Sequence, residues 1–169
     1  MEPKVQAITL NHANTNAVAG TTNTFTTTVA STCSIGGKFA VALGVLTNSA
    51  TTPTLDANTG VAFKTLVANQ AATIVFGVNA AGTLVAAQGD ATPTITGVTT
   101  AVGAFITAPV FPPIPDDFCP IAYTVVRVAP SSTGFTCGAA SNPWTGTPSY
   151  ATCTTFKNIS TLPDRPQLS

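Results

Sequence analysis

The 169-residue chain suits one domain, and at that length folding buries roughly 70% of the surface an unfolded chain exposes, so a core needs no metal or cross-link to support it. Charged residues supply 7% of the sequence, six basic against six acidic, where an ordinary soluble domain carries about 25%. This near-neutral balance offers no field for phosphate backbones or anionic lipid, which excludes nucleic acid and a membrane surface as expected partners.

A surface with so little charge must stay wet by other means, and 32 threonines, with Asn, Ser and Gln, supply neutral hydrogen-bonding groups. Threonine is β-branched and fits a pleated strand better than a helix. Glutamate occurs only at Glu2 and methionine only at Met1, so residues that usually decorate helix surfaces are nearly missing. An all-β fold follows. Weak charge repulsion also leaves a free monomer poorly protected against self-association and points to a life in a complex.

The opening MEPKVQAITL lacks the basic stretch and the apolar segment of about 7–15 residues that make a secretory leader, so no signal peptide is expected. Residues 1–20 read as an extended N-terminal arm or a first strand, with strand character over 5–10. A further strand is expected over 24–30. Over 38–46, Phe39, Val41, Leu43 and Val45 alternate with Ala40, Ala42 and Gly44, which predicts a strand with one core face and one face that another backbone can approach. That stretch holds the longest apolar run, far below the ~20 residues of a spanning helix.

A short strand is expected over 62–67, and residues 73–78 and 83–87 flank Asn79-Ala80-Ala81-Gly82 as a β-hairpin with Ile74, Phe76 and Val78 on one face. The run 108–115, APVFPPIP, must be extended because proline fixes φ, and its apolar Val110, Phe111 and Ile114 predict a segment lying on a surface. Residues 121–128 are apolar on both faces, with Ile121, Tyr123 and Val125 on one side and Val126 and Val128 on the other, so they form a central strand or carry a bulge. A last strand is expected over 152–156. The turn-rich stretches 47–60, 88–97 and 139–148 separate these elements, a spacing that suits a β-sandwich of jelly-roll or Greek-key type over 21–156, followed by an extended tail over 157–169.

No catalytic constellation accompanies this framework. The single histidine, His12, sits in a polar stretch without a nucleophile pattern, and no G-x-S-x-G elbow occurs. Asp116 and Asp117 are adjacent and read as a turn before Phe118, and Gly36-Gly37-Lys38 lacks the spacing of a phosphate loop. No cofactor, no metal and no enzymatic activity are expected. The cysteines Cys33, Cys119, Cys137 and Cys153 show no C-x-x-C spacing, which argues against zinc. Either Cys119, Cys137 and Cys153 supply a disulfide within the last third, or all are buried thiols of a chain made in a reducing cytosol.

Candidate interface residues are Phe111 and Ile114 on the proline run, Trp144 in its loop, and Leu162 and Arg165 in the tail. Trp144 reads equally as a surface anchor or as buried packing. Arg165 could hold the tail to a partner or form a solvated local pair with Asp164.

The segments TGVAFKTLVANQAATIVFGVNAAGTLVAAQG, IPDDFCPIAYTVVRV, FTCG with the following tryptophan loop, and NISTLPDRP together resemble virion structural proteins of tailed bacteriophages. The likeness spans 59–166 and is greatest to capsid decoration, or cement, proteins. It implies a small β-sandwich on the outer capsid surface of a virion, made in the host cytoplasm, commonly a homotrimer, that bridges subunits of the major capsid protein. The alternative it implies is a receptor-binding or fibre-type domain. No catalytic residue comes with either.

Overall fold

A computed structural model of the chain describes residues 10–11, 17–19, 24–35, 38–46, 50–51, 53–94, 104–139, 151–152 and 156–159. The strands are β1 (Leu10–Asn11), β2 (Ala17–Ala19), β3 (Thr24–Thr27), β4 (Ser31–Ile35), β5 (Lys38–Leu43), β6 (Ala50–Thr51), β7 (Gln70–Asn79), β8 (Leu84–Gln88), β9 (Thr92–Pro93), β10 (Phe118–Val128), β11 (Ala151–Thr152) and β12 (Lys157–Asn158). The protein is all-β, with no helix among the described residues. The described residues form three antiparallel sheets, ordered β1-β4-β5, β2-β3-β6 and β11-β10-β7-β8, the last also holding β12 on β10 and β9 on β7.

The long antiparallel pair of β7 and β10 is the centre of the fold. β7 is buried from Ala71 to Val78 without interruption, because each of its faces meets a separate core. Ala72, Ile74, Phe76 and Val78 share one face, as their two-residue spacing predicts, and pack with Cys119, Ile121, Val126 and Val128 of β10. Cys33 and Ile35 of β4 join this cluster and bring the β1-β4-β5 sheet onto it. On the opposite face Val75 packs with Ala87, Phe118 and Tyr123. Burying each of the larger side chains contributes about 1.5–3 kcal/mol, so these two faces hold most of the favourable term in folding.

β10 is both a central strand and a bulged one. β7 lies on one side of it, and β11 and β12 lie on the other. The register against β7 shifts between Pro120 and Ala122. The extra residue corrects the strict alternation expected for this strand: Ile121 and Ala122 both enter the first core, while Tyr123 belongs to the second. A proline that cannot donate to the ladder stands beside the irregularity, where a missing donor disrupts least.

The β7–β8 hairpin forms as the turn residues dictate. Asn79 Oδ1 accepts from the N–H groups of Ala81 and Thr83 at 3.0 Å each, and Gly82 adopts φ +76°, a conformation glycine reaches without a Cβ penalty. A Cβ at Gly82 would stand 2.8 Å from the carbonyl oxygen of Ala42, so the hairpin turn approaches the β5 backbone at that one point, while Gly44 beyond the strand has nothing within 4 Å. That strand is shorter than expected, ending at Leu43, and Val45 beyond it is exposed instead of joining a core face. Residues 62–67 pair only through isolated bridges, at Ala62 with Leu55 and at Leu66 with Phe135. Phe63 and Leu66 are nevertheless buried in the first core.

The third sheet is fastened by Thr27, whose N–H donates to the Leu46 carbonyl at 2.8 Å and whose hydroxyl accepts from the Leu46 N–H at 3.0 Å. At the other end of the chain, β12 pairs with Ala122 and Tyr123, and the Ile159 N–H donates to the Ile121 carbonyl at 3.0 Å. The segment expected to begin a tail at 157 therefore first completes the main sheet.

Gly77 on β7 faces Phe118 so closely that a Cβ would collide with the ring and stand 2.5 Å from the carbonyl oxygen of Cys119. Neither the backbone nor the buried ring has room to yield. The Gly77→Ala variant is expected to lose about 2 kcal/mol, roughly 4–8 °C in melting temperature. Thermal unfolding followed by circular dichroism checks this, and an unchanged midpoint would show that the ring can move away.

Candidate functional site

The second face of the main sheet is covered by the proline run, and how that run is fastened determines which of its residues face outward. Phe111 is half-buried with its ring edge-on to Tyr123, centroids 5.0 Å apart and planes at 87°, an arrangement aromatic pairs prefer. Ile114 packs against the same cluster. The predicted surface-lying segment is present, but Phe111 and Ile114 anchor it to its own sheet and leave little of themselves for a partner. Val110, beside Phe111 in the extended backbone, points the other way and is 56% exposed.

Gly89 sets how closely the run approaches. Its N–H donates to the Thr73 carbonyl at 2.8 Å, and a Cβ there would stand 2.6 Å from the carbonyl oxygen of Val110. On the far side, residues 55–62 fold back on themselves and lie along β8. Leu55 bridges Ala62, the Asp56 N–H donates to the Val61 carbonyl, and the Ala57 N–H donates to the Ala86 carbonyl. The Asp56 side chain, nearly buried, accepts from the Asn58 N–H at 2.9 Å, and Gly60 closes the turn at φ +71°. This loop covers part of an edge that would otherwise offer unpaired backbone groups.

Between the loop and the proline run lies an open groove of about 200 Å³. Asp56, Asp90, Lys64, Gln88 and Thr59 give it two carboxylates, one ammonium, an amide and a hydroxyl, while Val61, Val110, Phe111 and Pro112 give it apolar walls. Gln88 is fixed by donating through Nε2 to the Lys64 carbonyl at 3.1 Å. Val61, 62% exposed, adds to the outward apolar rim that Val110 begins. Such a mixture can grip an extended segment of another chain through side-chain hydrogen bonds and valine contacts. No group of three or more His, Cys, Asp or Glu side chains is placed to hold a metal among the described residues.

The other sequence-derived candidates are placed as follows. Asp116 and Asp117 are exposed in a turn closed by the Phe118 N–H donating to the Pro115 carbonyl, as their spacing implied. Cys119 and Cys137 are both buried, and no bridge joins these two within the last third. Cys119 instead lies in the first core beside Cys33, and its Sγ donates to the Pro120 carbonyl at 4.0 Å. This neighbour and burial push the Cys119 thiol far above its ordinary range. Cys153, His12, Trp144, Leu162 and Arg165 lie outside the described residues. The outward valines Val61 and Val110 were missed as site residues. Alternation along the proline run, with Val110 and Phe111 on opposite sides, was the available signal for one of them.

No known protein family, curated protein or solved structure matches the chain.

The orientation of the proline run is testable by two truncations. Phe111→Ala, which removes the ring packed on Tyr123, is expected to cost about 2 kcal/mol, and Val110→Ala less than about 0.5 kcal/mol. Urea unfolding measures both. Equal losses would mean that the run is seated the other way round.

Proposed function

We propose that this chain is a non-enzymatic structural protein of a tailed-bacteriophage virion, which binds the outer capsid surface as a homotrimer and stabilises the particle by bridging subunits of the major capsid protein. The observation that carries the reading is the pair of outward valines, Val61 and Val110, on a chain with 7% charged residues. Isolated exposed valines are ordinary, but Val61 and Val110 border one groove and sit where a neighbouring subunit would cover them. The likeness of 59–166 to decoration proteins supplies the particle, and the near-neutral surface suits a protein whose partners are other protein surfaces.

The groove favours a second reading, a receptor-binding or fibre-type domain in which Asp56, Asp90 and Gln88 hydrogen-bond a host glycan or peptide. Binding of the isolated protein to a glycan array separates the two, since a decoration protein gives no signal there.

Purified virions resolved by gel electrophoresis are expected to contain hundreds of copies of this chain, and a copy number of only a few would overturn the decoration role. In a reconstitution with undecorated capsids, the double variant Val61→Asp/Val110→Asp is expected to bind at least about tenfold more weakly while melting at the wild-type temperature. Undiminished binding would remove the groove rim from the interface.

A further inference from the structure

Two of the cysteines come from opposite sides of the first core. Cys33 lies on β4, in the β1-β4-β5 sheet, and Cys119 lies on β10, in the main sheet. Both are fully buried in one cluster, with Ile35, Ile121 and Phe76 among their neighbours. The two thiols are neighbours within that cluster, where β4 and β10 pack against each other. Among the described residues no strand pairing joins β4 to β10, although the two strands lie close to each other.

We propose that Cys33 and Cys119 form a disulfide that locks the two sheets together when the chain folds in the presence of a small-molecule disulfide oxidant. The step is an exchange. One cysteine thiolate attacks a sulfur of the oxidant, forms a mixed disulfide and releases one small thiolate. The second cysteine thiolate then attacks the protein-bound sulfur of that mixed disulfide, forms the S–S bond and releases the second small thiolate. The two cysteines together lose two protons and two electrons, and the oxidant is reduced to two small thiols.

Burial determines when this can happen. In the folded chain neither sulfur meets solvent, and the raised Cys119 thiol leaves almost no thiolate to attack an oxidant. Exchange therefore belongs to the folding chain, before the sheets close. Once formed, the bond is shielded from reductants by the same packing. It also encloses about half of the chain, from 33 to 119, a long loop whose closure restricts the unfolded ensemble strongly.

Tryptic cleavage isolates the partners, since Cys33 falls on the peptide ending at Lys38, Cys119 on that between Lys64 and Arg127, and Cys137 and Cys153 together on that between Arg127 and Lys157. The full-length protein refolded from denaturant with oxidised glutathione, alkylated and digested without reductant, is expected to yield the first two peptides joined. Its melting temperature should exceed that of the protein refolded in reductant by about 10 °C. Adding the oxidant to protein already folded in the reduced state should leave all three buried thiols unreacted over the same hours. Refolding the Cys137→Ser/Cys153→Ser variant keeps the pair and removes both competitors, and it should give the same joined peptides. Recovery of Cys33 and Cys119 as separately alkylated peptides after oxidative refolding of that variant would overturn the proposal, as would a wild-type digest in which Cys119 is joined to the peptide carrying Cys137 and Cys153.

Discussion

The antiparallel pairing of β7 with β10 is the constraint on which the rest of the structure depends. It is the longest ladder in the described protein, running from Phe118 against Asn79 to Arg127 against Ala71. Both strands are nearly buried throughout, because each face of the pair carries its own core. The first core recruits β4 through Cys33 and Ile35. The second recruits the proline run through Phe111 and Ile114 and the end of β12 through Ile159. The groove exists because that run and the 55–62 loop approach β8 from different directions and leave a space between them.

Close contact within the pair depends on small features of sequence. Gly77 makes room for the Phe118 ring, and the bulge at Ile121 assigns two consecutive residues to one core. Without the bulge, Ile121 and Tyr123 would share a face, and Tyr123 could not meet Phe111 while Ile121 packs beside Ile74. The register shift is thus what lets one strand serve both cores and what holds the outer segment on which Val110 is displayed.

Much of this was legible in the residues. The hairpin at Asn79–Gly82 announces itself through turn chemistry, and Ile74, Phe76 and Val78 through a period of two. Low charge with abundant threonine was enough for the all-β class. A bulge in β10 was one of two readings of a stretch apolar on both faces, but its position, and with it the assignment of Ile121 and Tyr123 to different cores, was not legible. The outward rim was only half legible: extended backbone places Val110 and Phe111 on opposite sides, but which side meets the protein is decided by Tyr123, distant in sequence. The pairing of Cys33 with Cys119 was hidden for the same reason, since contact across two sheets leaves no spacing rule in the chain.

A surface that relies on threonine and asparagine for wetting gives up the long-range repulsion that keeps proteins apart. On the proposed reading, in which neighbours cover this surface, few charges need to be stripped of water when it is buried. The buried central pair is the platform on which the outer loops are mounted. Native-state hydrogen exchange resolved by residue tests that division most directly. The slowest amides should be those of 74–76 and 122–126, exchanging only through global unfolding, with the 55–62 loop and β9 opening at far lower free energy. If the slowest amides lay instead in the β1-β4-β5 sheet, with β7 and β10 exchanging as fast as the loops, the central pair would not be what holds the fold.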